Sequence, residues 1–134
     1  MPSLNMGSSY PLTEDEINTK VAKNRIGNYA YGYLNEQGTF IVKYVGRSDT
    51  DLHERIMHGI QEFKNNPKLK YERFKFSYAT SKEEAYLKEC KNFHDFGGQK
   101  GYLNNKIHPD APEGIILECP FCNKMVSFQN WRID

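Results

Sequence analysis

Only three cysteines occur in the 134 residues. An odd number of thiols cannot all pair within one chain, so core packing, metal binding or reactivity are the uses left to them. Long hydrophobic runs are missing as well. Nothing approaches the roughly 18 consecutive apolar residues of a membrane span, and "MPSLNMGSSYPLTEDEI" lacks the charged-then-apolar order of a secretory leader. A cytoplasmic, intracellular protein is therefore expected. Nor is there an excess of charge of one sign: the formal net charge is +1, without the basic surplus by which a protein grips nucleic acid over a broad surface. No internal repeat or low-complexity tract appears. With 38% hydrophobic and 26% charged residues, the chain has apolar material for one soluble core and not for two.

What charge there is lies unevenly. Between positions 55 and 75, Arg55, Lys64, Lys68, Lys70, Arg73 and Lys75 stand against only Glu62 and Glu72. That end of the molecule either meets phosphate or is a solvated lysine-rich loop.

Residues 1–12 are small and polar without periodicity and read as a loose arm. Thr13 and Glu16 have the spacing of a capping box, and Ile17 and Val21 lie one turn apart, which predicts a short helix to about position 24. Positions 29–34 and 39–45 are rich in tyrosine, phenylalanine and β-branched residues and flank "NEQG", a hairpin. Alternation places Tyr29, Tyr31 and Tyr33 on one face of its first arm. Ser48 with Asp51 starts a helix whose inward stripe is Leu52, Ile56, Ile60 and Phe63, with Arg55 at the edge of the stripe and His58 just beyond. Pro67 ends it. Phe74, Phe76 and Tyr78, alternating with Arg73, Lys75 and Ser77, predict a third strand. Ser81 and Glu84 cap a second helix that runs to about His94 and stops at Gly97 and Gly98. The apolar run from Ile115 reads as a terminal hairpin with Cys119 and Cys122 at its turn. The expected fold is a small α+β domain with a three-stranded, antiparallel or mixed sheet flanked by helices. Its parts are an arm and short helix (1–25), the main domain (26–110) and a CxxC extension packed on it (111–134).

Two places in this pattern call for chemistry. Glu89 falls inside the inward stripe of the second helix, where glutamate is almost never found unpaired. Either a buried arginine satisfies it, Arg55 being the obvious partner, or it faces a cleft where a cation binds. In the tail, "CPFC" supplies two ligands at zinc-knuckle spacing, and a structural zinc wants four. Cys90 and His94, four apart on the side of the second helix away from Glu89, would complete a Cys3His site with Cys119 and Cys122. His108 substitutes if His94 points away. Ordinary core packing is the competing use of these residues.

The two-strand start, "YVG" at 44–46, an arginine and a histidine on the next helix, then "EAYLKE" and "YLNN", resemble in order and character the GIY-YIG endonucleases, over residues 29–108. The resemblance implies that hairpin tyrosines, the helix arginine and histidine, and the glutamate of the later helix converge on one scissile phosphate. It carries onto Tyr44, Arg55, Glu89 and Asn104. There is no "GIY"; measuring back from the turn puts Tyr31 at its place, with Tyr29 and Tyr33 as alternates, and His58 stands three residues after Arg55 where the family commonly has four. By this resemblance Glu89 would hold one magnesium or manganese ion and Arg55 would stabilise charge on the phosphate. Tyr31 or Tyr44 would take the proton of the attacking water, with help from His58. Arg47, Lys64, Lys68, Lys70, Arg73 and Asn104 would bind the flanking nucleic acid. The implied activity is DNA hydrolysis, on a duplex or branched substrate, leaving 5′-phosphate and 3′-hydroxyl ends, with a homodimer or partner protein supplying specificity. Two other readings compete: an idle nucleic-acid-binding module of the same fold, and a zinc-stabilised adaptor that binds protein.

Overall fold

The computed structural model describes residues 3–69, 71–97, 103–105 and 107–122; Lys70, residues 98–102 with Gly98 of the expected helix stop, Lys106, residues 123–134 and the side chains of Phe63 and Pro67 lie outside the described residues. In chain order the elements are β1 (Tyr10–Pro11), α1 (Glu14–Lys20), β2 (Gly27–Leu34), β3 (Phe40–Ser48), α2 (Leu52–Asn65), a 3-10 turn (Pro67–Leu69), β4 (Arg73–Tyr78) and α3 (Lys82–Asp95).

Local chemistry starts each helix. Thr13 and Ser81 sit in extended conformation, and each hydroxyl accepts a hydrogen bond from the backbone N–H three residues on, at 3.2 Å from Glu16 and 3.1 Å from Glu84. Each thereby satisfies one of the donors that a helix start leaves open. Before α2 the Ser48 hydroxyl accepts from the N–H of Asp51 at 3.0 Å, and the Asp51 carbonyl takes the first helical bond, from Arg55. In the β2–β3 turn the Asn35 side chain accepts from the N–H groups of Gln37 and Thr39, both at 2.9 Å, and Gly38 takes the positive φ of 81° that the turn requires.

The sheet is antiparallel throughout, in the order β1-β4-β2-β3. The mixed α+β class is as expected, but there are four strands and not three. The extra one, β1, comes from the segment expected to be a loose arm. Two constraints order that segment. The outer edge of β4 needs a partner, and Arg73 ties it down by donating to the hydroxyl and the carbonyl of Ser9 at 2.8 and 2.9 Å. One sheet face also needs cover: Leu4 and Met6 are buried against Ala30, Val45, Phe93 and Leu103 beside α3. The opposite face packs Tyr29, Tyr31 and Phe74 under Ile17, Leu52 and Ile56 of α1 and α2. Being sandwiched, β2 is buried along most of its length.

A shift in the β2–β3 register between Tyr31 and Gly32 makes Lys43 the extra residue, so Tyr31 lies opposite Tyr44 and Tyr29 opposite Gly46. The expected terminal hairpin is absent among the described residues. Residues 115–118 form no strand, Ile116 is fully exposed, and residues 120–122 are helical, so "CPFC" begins a helical turn. Among the described residues no helix is long and apolar enough to cross a membrane.

Because Leu4 is 4% exposed in this core, Leu4→Ala should cost about 2–3 kcal/mol. Urea unfolding would register it as a lower midpoint at unchanged slope; an unmoved midpoint would mean that the arm contributes nothing.

Candidate functional site

Along the β3 edge of the sheet opens a cleft of about 490 Å³, to which β2 contributes Tyr29, β3 Tyr44 and Arg47, α2 Arg55 and α3 Glu89. The rest of its lining is Gly46 and residues 48–50 on one side and Asn105 with residues 107–110 on the other. Gly46 is what admits Tyr29: a Cβ there would stand 2.4 Å from the phenol oxygen, so the ring can cross the strand only over a glycine. The rings of Tyr29 and Tyr44 stack at 6.2 Å with planes 20° apart. Arg55, itself exposed, stands close enough for its charge to act on both phenols.

Tyr31, the expected first-motif tyrosine, is not in the cleft. It is 2% exposed, its ring fits under α2 where Gly59 has no side chain, and its hydroxyl donates to the backbone carbonyls of Arg55 and Ile56 at 3.2 and 3.3 Å. Its phenol is a support for the helix that carries Arg55. Tyr29, one pleat earlier, is the β2 tyrosine that reaches the cleft.

Glu89 is paired, but with Arg47 and not with the expected Arg55. Arg47 Nη1 lies 2.5 Å from Glu89 Oε1, and the two side chains are 11% and 12% exposed. The same guanidinium grips Asp49 through Nε at 2.8 Å and Nη2 at 3.2 Å and lies over the Tyr86 ring. Arg47 is therefore directed at two carboxylates inside the protein, where the sequence suggested a flanking phosphate. Burial pushes the Glu89 carboxyl up to about 7 against the pull of the Arg47 cation. Arg47 is held above its ordinary value: burial works to lower it, and the hydrogen bond to Asp49 and the charge of Glu89 outweigh that. Burial also raises the phenols of Tyr29 and Tyr44, and Arg55 pulls both the other way.

The other expected site residues scatter. His58 is exposed on α2 and does not line the cleft. Lys64 and Lys68 are exposed at and beyond the end of α2, while Arg73 is turned to Ser9. Asn104 completes the β3 edge, its N–H donating to the Lys43 carbonyl at 2.5 Å and its side chain 3.5 Å from the Tyr71 hydroxyl. Two residues of the site had no sequence signal strong enough to find them. Asp49, in the cleft wall, looked like part of a helix start. Asn105 clamps the backbone of Val45 through both ends of its amide, at 3.0 and 2.8 Å.

Beside the cleft, His94, His108, Cys119 and Cys122 bring one ligand atom each within 4.8 Å of one another and could hold a metal ion. Cys90 is not part of this group. It is fully buried one turn deeper in α3, packed with Tyr86 and Cys119, because the helix spacing that aligns it with His94 fixes an angle and not a depth. His108 takes the fourth place in its stead.

Compared with known proteins, the chain matches no family model, no curated protein and no solved structure.

Two measurements check this geometry. A carboxyl raised from 4.5 to about 7 on folding favours the folded state below the unfolded value, and the advantage is lost as pH rises through 7, on the order of 2–3 kcal/mol. Stability profiles of wild type and Glu89→Gln should therefore diverge across that window, the variant lacking the decline; parallel profiles would show that Glu89 titrates normally. Tyr31→Phe should cost about 1 kcal/mol, the price of two weak buried hydrogen bonds, and leave the fluorescence and titration of Tyr44 unchanged.

Proposed function

We propose that the cleft is the active site of a divalent-metal-dependent endonuclease of the GIY-YIG type, hydrolysing DNA to 5′-phosphate and 3′-hydroxyl ends. The observation that carries this reading is the meeting of Tyr29, Tyr44, Arg55 and Glu89, from four different elements, around one cleft. It is the set that the sequence resemblance implies, with Tyr29 in the place of Tyr31. Glu89 and, beside it, Asp49 offer hard oxygen donors, and a carboxyl lifted by burial is one that a cation would stabilise, which suits magnesium or manganese. When bound, such an ion supplies Lewis-acid activation and offsets phosphate charge. The His94, His108, Cys119 and Cys122 group, with its soft sulfur donors, is in this reading a zinc centre apart from the catalytic one.

The chain's own residues divide the work. Arg55 presents its planar fork of donors at the cleft and meets the charge that develops on the scissile phosphate. Tyr44, half-buried, orients the attacking water and accepts its proton in this reading; burial and the charges of Glu62 and Glu89 hold its phenol above the ordinary value, and Arg55 offsets part of that lift. Tyr29 holds Tyr44 in position. Arg47 and Asp49 fix the direction in which Glu89 faces. Lys64 and Lys68 extend cationic surface along α2 towards flanking phosphates, on a duplex or branched substrate.

The Arg47–Glu89 pair favours one other reading, a nucleic-acid-binding module of the same fold in which the pair is only structural. Incubation of supercoiled plasmid with magnesium, with manganese and with chelator separates the two. Metal-dependent nicking should vanish in Glu89→Gln and fall at least about 10²-fold in Arg55→Ala, the range of a lost transition-state donor, while DNA affinity changes far less. DNA binding with no nicking under any metal would favour the module, and full nicking by a folded Glu89→Gln would remove Glu89 from the mechanism.

A further inference from the structure

The His/Cys group beside the cleft is closely spaced. Nε2 of His94 and Nε2 of His108 lie 3.2 Å apart, and Cys122 Sγ lies 3.3 and 3.0 Å from them. A tetrahedral zinc with bonds of about 2.0–2.1 Å to nitrogen and about 2.3 Å to sulfur spaces its ligand atoms by about 3.3–3.8 Å. The three edges among His94, His108 and Cys122 are within about half an ångström of that, and all four ligand atoms, Cys119 Sγ included, lie within 4.8 Å of one another. The tautomer is also fixed. His108 Nδ1 is 2.7 Å from the Pro109 carbonyl, which can only accept, so Nδ1 carries a proton and Nε2 is the ring atom turned to His94 and Cys122. An outer hydrogen bond from one ring nitrogen to a carbonyl, leaving the other for the ion, is how ligating histidines are usually held.

The ligands come from three separate stretches: His94 from α3, His108 from the segment after it, and Cys119 and Cys122 from the tail. That segment is the wall of the cleft. Asn105 pins it to β3 at Val45, and Pro109 and Asp110, next to His108, line the cleft opposite the pin in sequence. The helix that carries His94 also carries Glu89, five residues earlier.

We infer that His94, His108, Cys119 and Cys122 form a Cys2His2 zinc site whose task is to fasten the cleft wall and the tail to the glutamate-bearing helix. Zinc displaces both thiol protons on binding, and the resulting thiolates and neutral imidazoles leave no ligand position open to water. Without the ion the wall loses its tie to the tail and keeps the bonds of Asn104 and Asn105 to β3 and the packing of the His108 ring on Phe93. The existence of the site is independent of the nuclease reading; only the meaning of the wall depends on it.

Full-length protein purified without chelator, with its thiols reduced, should contain about one zinc per chain by elemental analysis. Cys122→Ser and His108→Ala should each weaken retention against a mild competing chelator at least about tenfold. Cys90→Ala should retain zinc, and the cobalt-substituted protein should show tetrahedral visible bands with the charge-transfer intensity of two thiolates. Stripping zinc should speed amide exchange at Asn104 and Ile115, whose N–H groups bond the Lys43 and Pro112 carbonyls on either side of His108, at least about tenfold while β2 keeps its protection. Zinc well under one per chain overturns the site. A cobalt spectrum with three thiolates overturns the ligand set, and unchanged exchange in the stripped protein overturns the role of the wall. Should zinc and exchange behave as described while no plasmid is cut, the nuclease reading falls and the zinc site stands.

Discussion

The arrangement turns on a carboxylate placed largely out of water, at the inner wall of the cleft. Glu89 projects from α3 towards the sheet, and a buried carboxylate left alone would cost on the order of 3–5 kcal/mol. Arg47 on β3 meets it, and Asp49 takes the rest of the same guanidinium. This three-membered chain of charge fixes α3 across the edge strand, and with it the floor of the cleft. It also keeps the carboxyl poised, since burial lifts it while Arg47 restrains the lift.

On the other sheet face the positioning is done by shape. Four tyrosines, at 29, 31, 44 and 71, lie with neighbouring ring centres 4.9 to 6.2 Å apart, and two glycines decide what each central ring can do. Gly59 opens a slot in α2 that swallows Tyr31; Gly46 lets Tyr29, itself buried, lie across β3 and reach the cleft. A side chain at either position would need to displace an aromatic ring, which a close-packed interior does not accommodate cheaply.

What the sequence made legible is local. The caps at Thr13 and Ser81, the Asn35–Gly38 turn and the alternation in β2 and β4 depend on neighbours a few residues away, and so does the inward bearing of Glu89. What stayed hidden depends on depth or on distant partners. Alternation puts Tyr29 and Tyr31 on the same face and cannot tell which lies under a helix; the glycine at 59 was the available clue. Helical spacing joins Cys90 to His94 and cannot show that His108 arrives from a loop to take its place. β1 is two residues long and exists because β4 offers it an edge, so no pattern within Tyr10–Pro11 could announce it. The run at 115–118 carries the composition of a strand but pairs with none among the described residues.

The burial of Leu4 and Met6 bears on how the chain is made. Their neighbours in the core include Ala30 and Val45, but also Phe93 and Leu103, and Asn5 receives the Lys88 ammonium on its carbonyl at 3.1 Å. During synthesis the first of these residues leave the ribosome long before α3 does. The α1 and α2 side of the sheet can assemble as soon as β4 has emerged, whereas the α3 side must wait with its apolar surface uncovered. Closing that side joins segments almost a hundred residues apart in sequence, a late and entropically demanding step, and until it happens the nascent chain presents Ala30 and Val45 to whatever chaperone or neighbouring chain is at hand.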